Sequence, residues 1–109
     1  MKKIALIFSA VILVMLVLTI RASMYENVAA ATLRLARDPW GLATFGDAYF
    51  GFLTFYLWVL YKETRAFRKL LWFVLIMLFG NLAMASYVLM QIFRLGKDAT
   101  VESLLTTHV

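Results

Sequence analysis

The chain has 109 residues, enough for one domain, with 64% hydrophobic residues, a mean hydropathy of +0.86 and a net charge of +5. A core of this size cannot hide so much apolar surface from water, so the composition excludes an ordinary soluble domain and points to the lipid bilayer. The absence of Cys excludes disulfides and thiolate chemistry, and a single His, His108, excludes a histidine-built metal site.

The first apolar run is IALIFSAVILVMLVLTI, residues 4–20, without a charge. As a helix it reaches about 25 Å, slightly less than a ~30 Å hydrocarbon core. Lys2 and Lys3 ahead of it also fit a secretory signal with cleavage after Ala22. The length of the run and the presence of Arg21 at that point favour a retained transmembrane helix. Residues 24–37 follow without Gly or Pro, with Met24, Val28, Ala31 and Leu35 on one face and Asn27, Arg34 and Arg37 on another. This is the pattern of an amphipathic helix lying in the interface, and, with no breaker from Lys2 to Asp38, the alternative is a continuation of the first helix beyond the membrane.

Asp38-Pro39 restarts the chain, Asp as cap and Pro as first helical residue. The segments 40–61 and 70–93 have the length of spanning helices. The loop KETRAFRK, residues 62–69, makes them antiparallel neighbours, with Lys62 and Glu63 read as solvated. Trp40, Trp58 and Tyr61 fall where aromatic belts form. The tail, residues 95–109, opens with Gly96 as a helix stop and carries Val101, Leu104 and Leu105 on one side. The expected architecture is therefore all-α: three transmembrane helices with an interfacial helix between the first and second. On that topology the cytoplasmic side holds Lys2, Lys3, Lys62, Arg65, Arg68 and Lys69, against Arg21, Arg34, Arg37, Arg94 and Lys97 outside. Six against five is nearly no bias, and it is the initial Lys pair and the dense middle loop that favour a multi-pass cell-membrane protein with its N-terminus in and its C-terminus out. The basic residues cluster at the ends of apolar runs, a pattern for lipid headgroups and not for nucleic acid.

Asp47 is the anomaly. It lies about 10 Å below Trp40 along a helix, where an unpaired carboxylate costs several kcal/mol. Trp40, Thr44, Asp47, Gly51, Thr54 and Trp58 share a face small and polar enough to meet other helices. Matching depths across the loop puts Tyr87 beside Asp47 and Asn81 beside Gly51, with Arg21 able to reach in from the first helix. The candidate catalytic set is Asp47, Tyr87 and Asn81; the candidate substrate-binding set is Arg21, Trp40, Thr44 and Gln91. The same residues serve equally as a polar clamp that fixes helix register. Glu63 cannot complete a carboxylate pair with Asp47, because sixteen residues of one helix separate them by about 24 Å. No phosphate loop, hydrolase triad or zinc spacing is present, and no cofactor is expected.

The runs DPWGLATFGDAYFGFLTFYLWVLYKE and GNLAMASYVLMQIFRL resemble a family of small polytopic membrane proteins known only as a domain of unknown function. The resemblance implies a fold type and brings Asp38, Trp40, Asp47, Glu63 and Asn81 together as its polar or aromatic motif positions. A looser similarity, in the placing of Asp47 and Glu63, connects the chain to membrane-bound terpene cyclases, in which embedded acids protonate a prenyl substrate. Three functions stand open at this level. One is a membrane protein acting through helix packing, as a homo-oligomer or accessory subunit of a larger membrane complex. The others are an enzyme on a prenyl-type lipid with Asp47 as proton donor, and an oligomeric proton-coupled transporter.

Overall fold

A computed structural model describes residues 1–108. They form six α-helices and one short 3-10 turn, with no strand among the described residues. Helix α1 spans Lys2–Tyr25, α2 Val28–Arg37, α3 Pro39–Lys62, α4 Ala66–Phe79, α5 Asn81–Leu95 and α6 Val101–Thr106, with the 3-10 turn at Gly96–Asp98. The molecule measures 46 × 27 × 22 Å.

Helix α1 runs unbroken because nothing in it opposes helix formation, and it ends where Glu26 turns extended. Asn27 then caps α2 by accepting from the Ala30 amide at 2.8 Å, and Arg34 braces the corner by donating to Glu26 at 2.9 Å. The helix between the first two long runs therefore begins at Val28, and Met24 belongs to α1. Asp38 accepts from the Trp40 amide at 3.3 Å, and Pro39 opens α3. A side chain at Gly41 would collide with the Leu35 carbonyl, so glycine lets the end of α2 lie directly on the start of α3.

The expected third span, 70–93, is not one helix. Gly80 divides it, with φ 56° and ψ −121°, a conformation in which a Cβ is strained. The chain reverses there, and α5 runs back alongside α4: Trp72 and Tyr87, on either side of the turn, have ring centroids 4.8 Å apart. The Phe52 ring fills the space under Gly80, where a Cβ would lie 2.7 Å from Phe52 Cζ. Val59, Trp72, Ile76, Ala83 and Tyr87 form the core between this hairpin and α3.

Helix α1 packs antiparallel to α5. Its first residues, Met1, Ile4, Ala5 and Phe8, lie against Val88, Ile92 and Leu104, whereas Met15 reaches the Gly80 turn. One end of the molecule, the base, thus carries the start of α1, the α3–α4 loop, the end of α5 and α6. The other end, the crown, carries the end of α1, α2 and the start of α3. The start of α1 and α6 thus lie at the same end of the molecule, whereas a single third crossing would have set them at opposite ends. Lys2, Lys3, Lys62, Arg65, Arg68, Lys69, Arg94 and Lys97 all belong to the base, leaving Arg21, Arg34 and Arg37 toward the crown.

Among the described residues, α1 is the one helix long and apolar enough to cross a membrane. None of its residues is buried by the rest of the chain. Helix α3 has the same length but includes Asp47 and several glycines.

Candidate functional site

The buried polar groups collect at the base and not around Asp47. Helix α3 ends when Glu63 adopts extended geometry while its amide still donates to the Val59 carbonyl at 2.8 Å. That turn brings both Lys62 and Glu63 inward, and both are buried. One Glu63 oxygen accepts from the Tyr87 hydroxyl at 3.1 Å, and the other accepts from Arg68 Nε at 3.1 Å. Arg68 is only partly exposed, so this pair is screened less than a surface ion pair. Tyr87 is fully buried and stands between the rings of Phe55, Trp58 and Trp72, each meeting it edge-on.

Lys62 does a different job. Its ammonium donates to the carbonyls of Leu104 and Thr107 and lies 5.5 Å from the centre of the Trp58 ring. Trp58 Nε1 donates to the Leu105 carbonyl at 3.0 Å. These carbonyls belong to the last turn of α6 and the residue after it, the negative end of that helix, so a buried cation there satisfies orphan acceptors and the helix dipole together. Tyr61 completes the latch, its ring 4.6 Å from that of His108. Gln91, one turn beyond Tyr87, is buried with its amide nitrogen unpartnered.

The residues expected to form a site are dispersed. Asp47 is exposed on α3 and takes part in no ion pair or hydrogen bond among the described residues. Tyr87 faces Glu63 instead, because the reversal at Gly80 carries it down to the base, whereas a straight helix would have placed it level with Asp47. Asn81 is exposed just past the turn and lines a cleft with Met15, Tyr49 and Phe52. Arg21 and Trp40 are exposed, and the Thr44 hydroxyl donates back to the Trp40 carbonyl at 2.8 Å. Of the expected residues, only Tyr87 and Gln91 are buried, one helical turn apart on α5. Glu63, Lys62 and Arg68 were missed because a charged loop reads as solvated. The available signal was Gly80-Asn81, a helix breaker in the middle of an otherwise uniform run.

Chemically, this cluster is a fastener. Both carboxylate oxygens of Glu63 are engaged, the Lys62 donors point at backbone, and the surface grooves are lined by other residues. No group of three or more His, Cys, Asp or Glu able to hold a metal ion occurs among the described residues. A family model described as "Protein of unknown function (DUF1475)" matches residues 2–107. The chain belongs to that family. The DUF1475 match covers α1 to α6, so the hairpin, the base cluster and the tail latch all fall inside the family's extent. No curated protein and no solved structure matches the chain.

Proposed function

We propose that the chain is a multi-pass membrane protein that works by helix packing, docking another transmembrane helix on the α3 face around Asp47. On this reading α1 crosses the bilayer, and α3, which has the same 24 residues and about 36 Å of length but is less apolar, crosses beside it. Helices α4 and α5, of 14 and 15 residues, reach only about 21–23 Å and form a re-entrant hairpin entering from the base. Leu13, Val17, Ile20, Phe50, Leu57 and Leu78 are exposed and large, as a lipid-facing surface requires. The gathering of eight of the 11 basic residues at the base supports a cytoplasmic base with both chain ends inside. The packing of Met1, Ile4, Ala5 and Phe8 into the α5–α6 core supports α1 as a permanent part of the fold.

The observation that carries the docking reading is Asp47 itself. It sits about 12 Å below the start of α3, exposed and unpaired. Around it the face is open: a Cβ at Gly46 or Gly51 would meet nothing within 4 Å. The Thr44 and Thr54 hydroxyls are turned back onto the Trp40 and Phe50 carbonyls. A small, open face with one uncompensated acid fits a neighbouring helix that brings a cation or a hydrogen-bond donor. The enzyme reading keeps Asp47 as proton donor but loses its helpers, since Tyr87 is committed to Glu63.

The test is purification from the native membrane in mild detergent followed by native mass spectrometry. The wild type emerges in a fixed-ratio assembly, and Asp47→Ala emerges alone with its helicity unchanged. A wild type that is already monomeric under these conditions overturns the reading. If the assembly is a homo-oligomer paired through Arg21, the combined Asp47→Arg and Arg21→Asp exchange restores what each single reversal breaks.

A further inference from the structure

We infer that the groove between the start of α1 and the end of α5 is a binding site for one anionic phospholipid. The inference rests on the membrane reading above but not on the Asp47 face. The groove encloses about 660 Å³ and is lined by Met1, Lys2, Ala5, Ile92, Phe93, Gly96 and Lys97. Its origin is local. The small side chain of Ala5 leaves α1 low against Ile92, which is buried, while Phe93 stands exposed as a wall. At Gly96 the backbone takes φ 77°, α5 stops, and the chain turns into the 3-10 segment. A Cβ on Gly96 would meet nothing within 4 Å, so the mouth of the groove is open there.

The lining divides by chemistry. Ala5, Ile92, Phe93 and the Met1 side chain give the groove an apolar lining, and Lys2 and Lys97 are the two charged side chains in it. Both lysines are exposed, and neither enters an ion pair among the described residues, although Asp98 follows Lys97 in the chain. A groove that combines apolar lining residues with two exposed, unpaired lysines is complementary to an amphiphile with an anionic head. The acyl chain lies between Ala5 and Phe93, and the phosphate lies between the two ammonium groups. The site also lies at the end of the molecule that carries most of the positive charge, where an anionic leaflet would meet it.

The experiment is native mass spectrometry of the full chain in detergent, titrated with phosphatidylglycerol or with phosphatidylcholine of the same acyl chains. The wild type retains one phosphatidylglycerol in preference to phosphatidylcholine. The Lys2→Gln, Lys97→Gln double variant binds it at least about tenfold more weakly. The Lys3→Gln, Arg65→Gln double variant, which loses the same charge outside the groove, binds as the wild type does. Ala5→Trp fills the trough, and the lipid is lost with every charge in place. Equal retention of the two lipids, or equal weakening by both double variants, overturns the site in favour of diffuse surface charge. Displacement of the lipid by millimolar inorganic phosphate overturns the role of the trough. A chain that leaves the membrane without detergent yet still selects phosphatidylglycerol refutes the spanning topology and leaves the groove standing.

Discussion

Glu63 and Tyr87 are 24 positions apart in sequence and 3.1 Å apart in space, and their bond holds the α3–α4 loop against α5. Replacing Tyr87 by Phe leaves a buried carboxylate oxygen without its donor. The expected loss is about 1–3 kcal/mol, read as a lower unfolding temperature in detergent. Glu63→Ala costs more, about 3–5 kcal/mol, because Arg68 and Tyr87 then lose their shared acceptor together. A Glu63→Ala variant as stable as the wild type would mean that the cluster does not fasten the base. Glu26 gives the residue-scale pH dependence. The hydrogen bond and charge of Arg34 hold its carboxyl below the ordinary value of 4.5, more strongly than burial raises it. A carboxyl depressed by folding contributes stability that is present above its unfolded value and lost as pH falls through its folded one. The pair is at the surface, so the effect is small. The stability difference between wild type and Arg34→Gln is therefore expected at neutral pH and disappears once the pH falls below that of the folded carboxyl. A difference that persists in acid would assign it to something other than the ion pair.

At the scale of elements, Gly80 decides whether the third apolar run is one helix or two. Its φ of 56° and the 2.7 Å approach to Phe52 that a Cβ would make both oppose substitution. Gly80→Ala is expected to cost about 1–3 kcal/mol from the backbone alone. It also favours the competing straight helix from Ala66 to Leu95, long enough to span, which would carry the C-terminus across the membrane. A C-terminal topology reporter reads this directly: part of the Gly80→Ala population changes side, and an unchanged reporter with unchanged stability refutes the hinge. Helix α6 is the second such element. Six residues cannot hold a helix by propensity alone. The Thr100–Ser103 capping box secures its start, and Lys62 with Trp58 secures its end. Lys62→Met removes the cation from the last turn, and amide exchange across Val101–Thr106 is expected to rise toward that of an unstructured tail. The exchange of α4 should hold, since its core residues Trp72 and Ile76 pack against Val59, Ala83 and Tyr87 and not against α6.

At the scale of the whole molecule, the gathering of basic residues at the base is the clearest consequence of tertiary structure. The sequence placed Arg94 and Lys97 on the opposite side from Lys2, because it read 70–93 as one crossing. With the reversal at Gly80 they return to the base, and a nearly balanced charge distribution becomes a lopsided one. By itself the sequence determined the all-helical class, the apolar first run, the Asp38-Pro39 restart and the kinship with a family of unknown function. These follow from composition, local capping chemistry and length, which act within a few turns of one helix. Only the tertiary structure decided where Tyr87 lies, that Glu63 and Lys62 are buried, and that Asp47 stands apart from every expected partner. The place of Tyr87 hangs on one backbone conformation at Gly80. A single positive φ reverses the chain direction, and periodicity is blind to it because the residues on both sides are equally apolar.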